Sequence, residues 1–116
     1  MKPYHAIKQF FKNDYYHIYL RSGVWLTDAK VARRGNQECL KCYRAINQAI
    51  SGCSTNSQQI LKYRYQQRLK VKEVTSKINL SQSGFYKRNR QALQEFTNQL
   101  NIVAPDLLDA IQNEYN

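Results

Sequence analysis

Lys70-Val-Lys-Glu-Val-Thr-Ser-Lys-Ile-Asn-Leu-Ser-Gln-Ser-Gly-Phe-Tyr-Lys-Arg-Asn-Arg-Gln-Ala-Leu93 is the stretch from which the rest of the chain can be read. Val74 and Ile78 stand one helical turn apart, which predicts a short helix over about Val71 to Ile78. Asn79 and Leu80 supply a turn, and the Ser81 hydroxyl suits the N-cap of a second helix of roughly five turns. Val74, Ile78, Leu80 and Phe85 make an apolar set able to hold two helices at a steep angle around that turn. This is the pattern of a helix-turn-helix. Its second helix can enter a major groove roughly 12 Å wide, with its first residues at base edges. Gln82, Ser83, Tyr86, Lys87 and Arg90 are expected to face outward. Gln and Lys can hydrogen-bond bases, while Ser83, Tyr86 and the basic residues also suit phosphates. The free N–H groups at the start of the helix add a phosphate site. Gly84 fits this helix poorly, costing about 1 kcal/mol relative to Ala. Either the backbone comes close to DNA there or the first turn is irregular.

Charge supports a polyanionic partner. The 116 residues carry 18 Lys+Arg against 8 Asp+Glu, a formal net charge of +10. Between Ile60 and Arg90 lie Lys62, Arg64, Arg68, Lys70, Lys72, Lys77, Lys87, Arg88 and Arg90, opposed only by Glu73. After Arg90 there are no basic residues, and Glu95, Asp106, Asp109 and Glu114 make the end acidic. A positive field confined to one segment is the mark of a binding face. Nucleic acid comes first as partner, an acidic protein second and an anionic membrane third.

Outward from this segment, the periodicity predicts an all-α domain of five or six helices. A first helix runs from Tyr4 to about Arg21, with Pro3 near its start and Ile7, Phe10, Phe11, Tyr15 and Ile18 on its stripe. Gly23 ends it, and Val24 to Asn36 reads as a loop, with Val24, Trp25 and Leu26 as its apolar anchors. A second helix covers Gln37 to Ser51, with Asn36 as N-cap, Glu38 at the positive dipole end and Leu40, Tyr43, Ile46, Ala49 and Ile50 at core spacing. Gly52 closes it. A third starts near Ser57 as N-cap and breaks near Arg68-Leu69. Pro105 opens a last helix with Leu107, Leu108, Ile111 and Tyr115 on one face. It either packs onto the first helix or serves self-association or a polymerase contact. The resulting division is 1–56, helices that buttress; 57–100, the helix-turn-helix; and 101–116, an amphipathic helix. No apolar run approaches the roughly 18 residues of a membrane span, and the start shows no secretory apolar stretch, so the expected compartment is the cytoplasm.

The run from Glu73 through Leu93 resembles the helix-turn-helix of sigma-factor region 4, with Asn-Leu-Ser in place of the usual Gly-Val-Ser turn. The wider frame is similar to ArpU-type regulators of phages and prophages. It is carried by Ile7 and Phe11, Gly35-Asn36-x-Glu38, Ile60-Leu61-x-Tyr63-x-Tyr65, Ser81-x-x-x-Phe85-Tyr86 and Ala92-Leu-x-x-Phe96. The resemblance implies a sequence-specific double-stranded DNA-binding regulator of late genes that recruits or assists host RNA polymerase. It makes Gln82, Ser83, Tyr86 and Lys87 the base-reading candidates. Arg64, Arg68, Lys72, Lys77, Ser81, Arg88 and Arg90 become the backbone-phosphate set.

Other chemistry has little footing. Cys39-x-x-Cys42 could join Cys53 and a histidine around zinc, but the pair sits within an amphipathic helix without a second closely spaced ligand pair. Buried free thiols are the expectation, with no metal and no cofactor. His5 and His17 lack catalytic partners, the carboxylates form no pair, and no Gly-rich phosphate loop is present, so no enzyme is expected. Two other functions fit the same residues. One is a phage DNA-packaging module like a small terminase subunit; the other is a basic interaction protein for RNA polymerase or another acidic partner. A homodimer would suit two half-sites about 34–36 Å apart.

Overall fold

The structure, a computed structural model, describes residues 5–15, 17–18 and 37–115, with side chains from residue 40 onward in the longest stretch. Among the described residues all regular structure is helical, as expected. The elements are α1 (His5–Asn13), α2 (Gln37–Ser51), α3 (Thr55–Ile60), α4 (Val71–Ile78), α5 (Gln82–Val103) and α6 (Pro105–Tyr115). A π-turn over Leu61–Gln66 prolongs α3.

Helix α5 is the axis on which the others pack. Its 22 residues make it about 33 Å long. Phe85, Asn89, Ala92, Leu93, Phe96, Thr97 and Leu100 recur at steps of three and four and are buried along one stripe. Helices α1, α2, α3, α4 and α6 all contact it. Phe11 of α1 lies at the centre, 5.0 Å from the Tyr65 ring in a stacked pair and 4.9 Å from the tilted Phe96 ring. Such pairs add about 0.5–1.5 kcal/mol beyond the area they bury. Three elements therefore meet on one phenylalanine. Thr97, buried in the same stripe, satisfies its hydroxyl by donating to Leu93 O at 2.7 Å.

The last helix packs onto the first. Leu108 and Ile111 of α6 are buried, and the Tyr115 hydroxyl donates to the Asp14 carboxylate just beyond α1. Burial and the Asp14 charge push the Tyr115 hydroxyl up to about 12. Pro105 occupies the first position of α6, and α2 spans the predicted residues.

Two local expectations need correction. The cap of α3 is Ser54, not Ser57: Ser54 Oγ accepts from Ser57 N–H at 3.4 Å, and Thr55 and Asn56 are already helical. Ser57 is buried inside the first turn and donates its hydroxyl to Glu95 of α5. Glu95 decides between the serines, because its Oε1 also accepts from Ser54 N–H at 2.9 Å. A carboxylate there meets the positive end of the helix. The second correction is the π-turn itself, where Gln67 N–H reaches back to Lys62 O at 2.8 Å. Pro3, Tyr4, Arg21, Gly23, the loop 24–36, the Asn36 cap and the side chains of Glu38 and Cys39 lie outside the described residues.

Candidate nucleic-acid interface

The reversal between α4 and α5 takes three residues. Helix α4 begins after Lys70, whose extended backbone N–H donates to Glu73 Oε1 at 3.2 Å. This is half of a capping box, since a lysine side chain has no acceptor to return. At the far end Asn79 is left-handed (φ 56, ψ 49). Asn is one of the few residues that tolerate this conformation cheaply. Leu80 N–H then donates to Thr75 O at 3.1 Å, closing a Schellman-type stop. Ser81 is extended, and its Oγ accepts from Gly84 N–H at 3.1 Å, the cap the sequence predicts. Val74 and Phe85 are fully buried under the turn, with Ile78 and Leu80 half-buried.

Gly84 lies in a regular first turn. A Cβ built on it would stand 3.1 Å from Ser81 Oγ and 3.8 Å from Leu80 Cδ2. The close approach at this glycine is therefore that of its own cap.

Gln82, Ser83, Tyr86, Lys87 and Arg90 are all exposed. Tyr86 is 51% exposed, its ring edge-on to Phe85 at 5.4 Å. At about 100° per residue, Ser83, Lys87 and Arg90 fall within an arc of about 60°. Arg88 turns away from them. It is half-buried and lines a cleft of about 170 Å³ with Asn56, Gln59, Ile60, Ile78 and Leu80. Lys72 and Lys77 are exposed on α4.

Arg64 and Arg68 both bond to the chain's own carbonyls. Arg64 Nη1 donates to Leu69 O at 3.0 Å, and Arg68 Nη2 donates to Lys12 O at 3.3 Å. Arg68 also has φ 58, unusual for a long side chain, at the sharp connection into α4. Among the described residues none of Lys62, Lys72, Lys77, Lys87, Arg88 and Arg90 is in an ion pair.

Two supporting residues escaped the sequence reading. Asn89 accepts the buried Tyr65 hydroxyl at 2.9 Å. The signal was present, since a polar residue occupies the stripe position one turn after Phe85. Glu95, read only as part of the acidic end, holds Ser54 and Ser57. No local pattern announces that partnership across some forty residues.

His5 and His17 are exposed. Cys42 is half-buried, and Cys53 is buried with its thiol donating to Ala49 O at 3.5 Å. Burial, and then the Glu95 charge, push the Cys53 thiol up to about 11. Among the described residues no group of three or more His, Cys, Asp or Glu is placed to hold a metal ion. None of the described helices is long and apolar enough to cross a membrane.

No curated protein and no solved structure matches the chain significantly. A family match covers residues 22–97, which include α2, α3, the π-turn, α4, the turn and most of α5. The chain belongs to the family described as protein of unknown function (DUF1492).

Proposed function

We propose that this chain binds double-stranded DNA by inserting the first turns of α5 into the major groove, as a sequence-specific transcriptional regulator. The observation that carries the reading is the three-residue reversal at Asn79-Leu80-Ser81. It sets Gln82, Ser83, Tyr86, Lys87 and Arg90 on the open side of α5, with the neighbouring cations unpaired. Gln82, Ser83, Tyr86 and Lys87 are the base-reading set. Lys72, Lys77 and Arg90 supply backbone charge, joined by Arg88 from the cleft and by the α5 N-terminus around Ser81. Arg64 and Arg68 contribute to the positive field while bracing the connection into α4. The similarity to ArpU-type regulators extends the reading to phage or prophage late promoters and to assistance of host RNA polymerase.

Duplex binding measured by fluorescence anisotropy over a salt series tests it. Lys87→Ala should relax preference at one base pair and cost about 1–3 kcal/mol. Lys72→Ala should weaken all sequences alike and lower the salt slope by about 1. Indistinguishable effects would overturn the base-reading assignment. Absence of salt-sensitive duplex affinity would overturn the function.

A further inference from the structure

We infer that Lys62, Tyr63 and Lys77 form a second phosphodiester-binding ledge, apart from the outward face of α5 and beside the cleft that Arg88 lines. The inference rests on the DNA-binding reading and adds Lys62 and Tyr63 to it. Both ammonium groups lie over the same ring: Lys62 Nζ is 5.8 Å and Lys77 Nζ 5.6 Å from the Tyr63 centroid. Lys62 and Tyr63 come from the π-turn, and Lys77 comes from the last turn of α4. The ring therefore gathers charge from two elements.

The negative face of an aromatic ring attracts each cation, but two like charges held over one ring also repel. Neither lysine is in an ion pair. The nearest acid in the sequence, Glu73, already accepts from the Lys70 backbone. Two positive charges thus share one ring with no ion pair to either among the described residues, and the oxygens of a phosphodiester would complete the arrangement. The α4 dipole favours a cation at Lys77 on its own account, but this leaves Lys62 unexplained. Tyr63 is half-buried against the core, so the ring is a fixed platform for two otherwise mobile tails. Pre-placing them reduces the ordering cost of binding. Four residues back along α3, Gln59 begins the cleft shared with Asn56 and Arg88. Amides and a guanidinium there suit phosphate and sugar oxygens. A polymer backbone, with its charges repeated along the chain, fits this row of cations better than a lone phosphate.

The test uses a duplex of random sequence and Lys62→Ala, Lys77→Ala, Tyr63→Phe and Tyr63→Leu, each checked for helical content. Each lysine variant should lower the slope of log affinity against log salt by about 0.9. Tyr63→Phe should behave as the parent, whereas Tyr63→Leu should bind about two- to fivefold more weakly. If Lys87→Ala weakens binding while both Lys62→Ala and Lys77→Ala leave the slope unchanged, the ledge is wrong and the DNA reading stands. Loss of affinity for polyglutamate alone, with duplex binding intact, would assign the ledge to an acidic protein and overturn the proposal. If the parent shows no salt-sensitive duplex binding, both readings fall.

Discussion

The Tyr65 hydroxyl donates to Asn89 Oδ1 at 2.9 Å inside the core, joining the π-turn after α3 to α5 one helical turn beyond Phe85. The bond matters more than its length implies, because both residues are buried and removing one partner leaves the other polar group unsatisfied. Tyr65→Phe leaves the Asn89 carbonyl without its donor and should cost about 1–3 kcal/mol in urea unfolding. Asn89→Leu should cost a similar amount, because it strands the phenol. The double variant should cost clearly less than the sum, since neither group is then left unpaired. Strict additivity would show that the pair is not coupled.

The cap and the glycine of α5 should also be coupled. Ser81→Ala removes an acceptor from Gly84 N–H and should cost about 1 kcal/mol. Gly84→Ala recovers helix propensity, worth about 1 kcal/mol, but its Cβ would press on Ser81 Oγ at 3.1 Å. Gly84→Ala should therefore stabilise the Ser81→Ala background more than the parent. Equal effects in both backgrounds, measured by denaturant midpoints, would show that the contact is harmless.

What the sequence made legible follows from where local signals agree. Helices α4 and α5 could be read because Val74, Ile78, Leu80 and Phe85 sit at helical spacing on both sides of a Ser cap. Pro105 marks α6 in the same way. The cap of α3 was not legible, because residues 54–57 offer Ser, Thr, Asn and Ser in succession. A carboxylate far along the chain makes the choice. The outward set on α5 was legible in direction as well as composition, since Gln82, Ser83, Tyr86, Lys87 and Arg90 are all exposed, but the direction of Arg88 was not. Arg88 lies between Lys87 and Arg90 in sequence, yet helical rotation sends it into the α3 cleft. Arg64 and Arg68 read as free charge, although Arg64 donates to Leu69 O in the connection into α4 and Arg68 to Lys12 O of α1. The π-turn escaped as well, since nothing in Leu61–Gln66 departs from an ordinary helical pattern.

Acid should act on the α3–α5 contact through Glu95. Burial alone would raise its carboxyl, but hydrogen bonds from Ser57 and Ser54 outweigh it and hold the group below its ordinary value of 4.5. A lowered native value means the unfolded chain takes up this proton first as pH falls. The contribution is therefore fully present above about 4.5 and is lost as pH drops through the lower native value. Urea unfolding from pH 7 to pH 3 should show this loss in the parent and a flatter profile in Glu95→Gln. Parallel profiles would remove Glu95 as the cause.

The same carboxylate bears on Cys53. The residue is 7% exposed, and its thiol is pushed up to about 11, by burial first and the Glu95 charge second. The thiolate is the nucleophile, so at pH 8 only a small fraction of an already hidden group is reactive. Iodoacetamide labelling mapped by peptide mass spectrometry should leave Cys53 unmodified in the native protein and modified in urea. Glu95→Gln should raise native labelling modestly, by removing the charge and loosening the Ser54 anchor next to it. Labelling of native Cys53 at the rate of a small free thiol would sink the argument, because it would mean that the junction between α2 and α3 opens readily and that Glu95 does not hold it.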